Sequence, residues 1–132
     1  MPLVNAIEVL PGIPRKQFPI RIVAQPAPFS DHAGRVWKPG NWYYNGQLCP
    51  RNLHAAGTPD PAKFVLERYG HLTYAIPVDV RGRYSLTLHF AEFYFGPSAA
   101  GHGGVGSRVF NVVCNCVMLL DHLDVLQIEP DV

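Results

Sequence analysis

Three groups of aromatic residues stand where a soluble chain usually keeps large rings out. Trp37, Trp42, Tyr43 and Tyr44 fall within eight residues, with Pro39, Gly40 and Gly46 among them. Tyr69 precedes Gly70, and Phe93-Tyr94-Phe95 runs into Gly96-Pro97. Loops rich in glycine and proline rarely expose such surface without a use for it. One use is stacking: an aromatic face meets the flat C–H face of a pyranose, while tyrosine hydroxyls bond the sugar's own hydroxyls. The structural alternative is that the rings plug the open ends of a sandwich.

Other constellations carry less chemistry. Gly101-His102-Gly103-Gly104-Val105-Gly106 fits G-x-G-x-x-G literally, but that motif needs a following helix to hold a pyrophosphate. Here Arg108-Val109-Phe110-Asn111-Val112-Val113 follows, a strand-like run. The six histidines are scattered. His89 and Glu92 are three apart, which in a strand sets them on opposite faces, so no metal is expected. Ser30, Asp31 and His32 are loop neighbours without the geometry of a catalytic relay. Asp121 and Asp124 read as turn and surface residues rather than a glycosidase pair. Cys49, Cys114 and Cys116 form no disulfide framework and no C-x-x-C metal spacing, and read as small buried hydrophobes. Neither catalysis nor a cofactor is expected.

The elements that must position the rings are strands. The chain has 132 residues, which argues for one folding domain. Charged residues are only 16% against 48% apolar, and net charge is +1, so there is no electrostatic footprint for nucleic acid. Twelve glycines and thirteen prolines break long helices and favour short strands. No apolar run reaches the roughly 20 residues of a membrane span. Met1-Pro2-Leu3-Val4-Asn5 has neither the basic nor the apolar region of a signal peptide, and the compartment is left open.

Strict alternation marks Arg83–Phe90 as a half-buried strand, with Tyr84, Leu86, Leu88 and Phe90 on one face and the polar Arg83, Ser85, Thr87 and His89 on the other. Leu72–Val78 is a second strand, and Asp79-Val80-Arg81-Gly82 predicts a hairpin between the two. Phe18–Ala24 is a third. Arg108–Leu120 reads as two strands joined near Asn115, and Leu123–Ile128 as a last, weaker one. Residues 25–40, 45–61 and 96–107 read as loops. The pattern predicts an all-β antiparallel sandwich or barrel.

Several stretches, in this order and spacing, resemble the malectin domain, a family of di-glucose-binding β-sandwich lectins. They are Asp31-His32-Ala33-Gly34-Arg35-Val36-Trp37, Glu67-Arg68-Tyr69-Gly70, Tyr74-Ala75-Ile76-Pro77-Val78, Gly82–Glu92 and Gly106–Val112. The resembling core runs from about Ile20 to Asp124. The resemblance implies an antiparallel jelly-roll-like β-sandwich and non-catalytic binding of a glucose-containing oligosaccharide. It places the sugar-binding aromatics at Tyr69, at Tyr94 and Phe95, and within Trp42-Tyr43-Tyr44, where Tyr43 ranks first. The family's usual setting is lumenal or extracellular.

The chain also departs from the family. An aspartate usually follows the motif tryptophan, where this chain has Pro39-Gly40, and an Asn-Gly turn becomes Asn115-Cys116. The family continues for several strands beyond the position of Asp124, so its C-terminal strands are missing here. Val4-Asn5-Ala6-Ile7-Glu8-Val9-Leu10 resembles the family's final strand. The expected organisation is therefore residues 1–12 as a strand from the end of a preceding unit and residues 13–132 as an incomplete malectin-like domain, a segment of a tandem array. Such a segment would expose a sheet edge and an apolar face, suited to a homo-oligomer or a neighbouring malectin-like domain. The competing reading is a structural or protein-interaction module that binds no sugar.

Overall fold

The computed structural model describes residues 2–11, 19–51, 57–92 and 104–127. They form ten strands: β1 (Leu3–Val4), β2 (Ala6–Pro11), β3 (Ile20–Val23), β4 (Phe29–Ser30), β5 (Val36–Pro39), β6 (Tyr43–Pro50), β7 (Leu66–Tyr74), β8 (Tyr84–His89), β9 (Val109–Cys114) and β10 (Val117–Asp124). A five-stranded sheet has the order β4-β5-β3-β2-β8, a three-stranded sheet the order β1-β7-β6, and β9 and β10 form a separate hairpin. The fold is all-β, and helix among the described residues is confined to two 3₁₀ turns, Pro61–Phe64 and Val125–Gln127.

The N-terminal run Leu3–Val9 is buried at every residue. For Ala6–Val9 that follows from place: β2 lies between β3 and β8, covered on both faces, as a near-continuous apolar strand requires. Ile7, Val9 and Ile22 face one side with Val4, where Leu72, Tyr74, Ile76, Tyr84, Leu88 and Phe90 pack on them. Ala6 and Val23 face the other side and pack with Trp37 and Phe29. The charged residue in the run, Glu8, stands opposite Arg21 and accepts a 2.7 Å bond from its guanidinium.

Several expectations need correction. Leu72 and Tyr84 do not flank a hairpin: β7 ends at Tyr74 and pairs with β1 and β6, whereas β8 pairs with β2 in the other sheet. Strands β4, β5 and β6 occupy segments read as loops, because proline and glycine at their ends mask short extended runs. One pairing, β3 with β5, is parallel. Leu123 and Asp124 close β10, but Val125–Gln127 is a 3₁₀ turn rather than strand. Asp124 is buried and accepts from the backbone N–H groups of Gly106 and Leu126, so it is no surface residue. Cys114 and Cys116 are exposed and Cys49 half-buried, against the expectation of three buried thiols. His89 belongs to no polar face, because its ring packs edge-on against Trp37. The N-terminal half of the literal G-x-G-x-x-G segment lies outside the described residues; Gly104–Ser107 is a turn leading into β9.

Candidate functional site

Strands β6 and β7 carry most of the described candidate residues, and a bulge between them decides where each points. In the antiparallel register Asn45 faces Leu72 and Gln47 faces Tyr69, so Gly46 alone stands opposite Gly70 and His71. Asn45 and Gly46 have φ of 64° and 81°, and Gly70 has φ of 102°. A side chain on Gly46 would come within 2.9 Å of Arg68 Cγ and 3.2 Å of Leu72 Cβ. Glycine meets both demands, and the bulge re-aims the flanking side chains.

On the inner face, Tyr43 stands opposite Tyr74, with ring centroids 6.3 Å apart. The Arg68 guanidinium lies over the Tyr43 ring, 3.5 Å from its centroid. Arg68 is buried while Tyr43 is 38% exposed, so this cation–π contact is shielded from water on the side of the cation only. Burial pushes the Tyr74 phenol up, partly offset by the charge and hydrogen bond of Arg68. Tyr69 is the strand neighbour of Arg68 and Tyr44 the neighbour of Tyr43, so alternation turns both to the opposite face. There the Tyr69 hydroxyl donates to Gln47 Oε1 at 2.7 Å. Tyr44 is 62% exposed. Trp42 is also exposed, held through its carbonyl by the Ala75 N–H at 2.7 Å. The structure thus sets Tyr44 and Tyr69 on one face and Tyr43 on the other; Tyr94 and Phe95 lie outside the described residues.

Trp37, in contrast, is 1% exposed. Its indole N–H donates to Asp31 at 3.0 Å. The same carboxylate accepts from the backbone N–H of Ala33 and Arg35 and from Arg35 Nε. Burial raises the Asp31 pKa, but these donors outweigh it and hold the carboxyl well below the usual carboxylate range. His32 donates its backbone N–H to Asp60 Oδ1 and sets Nδ1 2.7 Å from Oδ2. Asp60 is likewise lowered, burial being outweighed by the His32 bonds. The Lys63 ammonium lies 4.3 Å from the centroid of the Trp37 ring. The stretch Asp31–Trp37 is therefore a buttress that fixes β5, with the Asp31 carboxylate and the Trp37 indole N–H engaged in the fold. Among the described residues, no three His, Cys, Asp or Glu side chains gather as metal ligands.

Residues 25–129 match the family model of the malectin domain. The chain belongs to the malectin domain family. That family is one of carbohydrate-binding, lectin-like, non-catalytic domains. No curated protein and no solved structure matches the chain. No helix among the described residues is long and apolar enough to cross a membrane.

Within the malectin framework the departures acquire reasons. Gly40, which follows the motif tryptophan where an aspartate is usual, leaves no room for a side chain: a Cβ there would sit 2.4 Å from Ile22 Cγ2. Asn115 and Cys116 both take positive φ, 48° and 65°, so the β9–β10 turn keeps type I′ geometry despite the cysteine. Sequence reasoning did not single out Gln47 and Arg68 as the partners of Tyr69 and Tyr43. The available signal was the pair of glycine-ended dipeptides, Asn45-Gly46 and Tyr69-Gly70, which inside strands mark a bulge.

Proposed function

We propose that this malectin domain binds a glucose-containing oligosaccharide without catalysis, by stacking on aromatic residues of the β6–β7 face and its neighbouring loops. The observation that carries the reading is the Tyr44–Tyr69 face: one strongly exposed ring and one half-buried ring held by a hydrogen bond, on adjacent strands. Trp42 extends it, and Tyr94 and Phe95 join it through the family resemblance. Tyr43 supports the site from behind, since Arg68 covers one of its ring faces. Affinity is weak, because a shallow site gains little beyond the cost of ordering a flexible, well-hydrated ligand.

The test is a ¹H–¹⁵N titration with maltose- and nigerose-type disaccharides. Peaks around Tyr69 and Tyr94 shift, and Tyr69→Ala and Tyr94→Ala each lose binding while remaining folded. Unchanged affinity in both variants overturns the site. Trp42 emission offers a cheaper readout, because Trp37 is buried beyond reach of a ligand.

A second reading has its own observation. The β9–β10 hairpin exposes Val113, Val117, Met118 and Leu119 at about half their surface each. Among the described residues it borders an open groove of about 2240 Å³, lined by Ile7, Val9, Tyr74, Leu88 and Leu120 among others. Apolar surface on this scale favours an interaction module, with a second copy or a neighbouring malectin-like domain as partner. Sedimentation with and without sugar separates the readings: association that is indifferent to disaccharide, with no sugar-dependent shifts, supports the second.

A further inference from the structure

We infer that Gln47 is a sugar-contacting and positioning residue of this site, and that Gln47 and Tyr69 together recognise two adjacent hydroxyls of a pyranose. The inference rests on the reading that the Tyr69 face binds sugar. Gln47 lies outside the aromatic set that the family resemblance supplies.

The argument starts from donors and acceptors. A phenol has one proton and two lone pairs, and Tyr69 commits its proton to Gln47 Oε1 at 2.7 Å. Toward a ligand Tyr69 therefore offers acceptance only. The same bond fixes the orientation of the Gln47 amide, so its NH₂ group brings two donors beside the ring. An acceptor next to donors fits a vicinal diol: one hydroxyl donates to Tyr69 while its neighbour accepts from Gln47. Neither hydroxyl has to be deprotonated or left unpaired.

The backbone supports this arrangement. Gln47 follows Gly46 and Tyr69 precedes Gly70, so the two residues flank the bulge and meet directly across the strands. Tyr69 is on the middle strand, held by β1 on its other side through Leu3. The Gly70 N–H donates to the Pro2 carbonyl at 2.8 Å. Gln47 itself is exposed. A solvent-exposed bond between neutral side chains adds little to folding, because both ends otherwise bond water. Rigid backbone on both sides makes the pair a preorganised recognition element.

The experiment compares the wild-type chain, Gln47→Met, Tyr69→Phe and the double variant in the same disaccharide titration, with thermal unfolding of each. Gln47→Met keeps side-chain length but removes the acceptor and both donors, and Gln47→Ser, a second variant, withdraws hydrogen-bonding groups from reach by shortening the side chain. The expected result is an unchanged Tm and binding about five- to tenfold weaker for Gln47→Met. Tyr69→Phe, which keeps the stacking ring, weakens binding as well, and the double variant loses much less than the two single losses combined. A wild-type chain that binds while Gln47→Met and Gln47→Ser bind equally well overturns the inference alone, as does simple additivity in the double variant. A folded wild-type chain that binds no disaccharide overturns the sugar-binding reading and this inference with it.

Discussion

The side-chain amide of Asn5 donates to the carbonyl of Leu66 at 3.1 Å, joining residues 61 positions apart. Asn5 sits between β1 and β2, where the chain leaves the three-stranded sheet for the five-stranded one. Its Oδ1 accepts from the Ala91 N–H at 3.1 Å, its own N–H donates to His89 and its carbonyl accepts from Ala24. One buried residue thus ties together the start of β7 and the ends of β3 and β8.

Replacing Asn5 by leucine keeps the branched shape of the side chain but takes the partners from the Leu66 carbonyl and the Ala91 N–H. At about 1–3 kcal/mol for each of the two orphaned groups, Asn5→Leu loses about 2–6 kcal/mol. Urea unfolding measures it; a loss under about 1 kcal/mol would mean that water reaches both groups. The same residue makes the N-terminal strand part of the fold, so proteolytic removal of residues before Pro14 unfolds the chain rather than trimming it.

Much of this was legible in the residues. Alternation identified β8, and the β-branched run identified β9 and β10, because a strand covered mainly on one face writes a period of two. Partners were less legible. The turn residues between Tyr74 and Tyr84 suit a hairpin, but the apolar sides of Leu72 and Tyr74 are drawn onto Ile7 and Val9, which seats β7 in the other sheet. Long-range burial decided that pairing, and local turn chemistry carries no trace of it. At the site, the rings were visible as types and their facing was not, since the Gly46 bulge sets which of Tyr43, Tyr44 and Tyr69 share a side.

The Trp37–Asp31 bond is the second place where a conservative change should tell. Trp37→Phe retains an aromatic ring but removes the indole donor, leaving Asp31 with three of its four partners. The expected cost is about 1–3 kcal/mol, part hydrogen bond and part unfilled volume. Asp31→Ala costs more, because the loop N–H groups of Ala33 and Arg35 lose their acceptor together. Thermal unfolding ranks the two variants; the reverse order would show that packing of the ring, and not the carboxylate, holds the loop.

Acid should destabilise the fold in two stages. Burial lowers the His89 pKa, with Lys63 and Arg35 adding repulsion and Glu8 opposing them. The unfolded chain then binds this proton more readily than the folded one, beginning near the ordinary histidine value of about 6.5. Stability from neutral His89 is complete above that pH and is lost as pH falls toward its lowered folded value. His89→Phe, which keeps a ring against Trp37, flattens the decline in urea midpoint between pH 7 and pH 5. Asp31 and Asp60, both lowered, produce a later loss below about pH 4 in either protein. An unchanged slope from pH 7 to 5 in His89→Phe would assign the first stage to other histidines.

The β9–β10 turn offers a gain instead of a loss. Cys114 pairs with Val117 across it, and Cys116 sits between them at φ of 65°. A side chain in that conformation costs about 1–2 kcal/mol. Glycine relieves the strain but gives up about 0.5–1 kcal/mol through the freedom it adds to the unfolded chain. Relief exceeds that penalty, so Cys116→Gly should stabilise the protein by roughly 0.5–1 kcal/mol, a rise in Tm of a few degrees. Cys116→Ala is the control: it removes the exposed thiol and keeps the strained backbone, and its Tm should stay at the wild-type value. Equal gains in both variants would trace the effect to thiol chemistry at the hairpin tip and not to the turn.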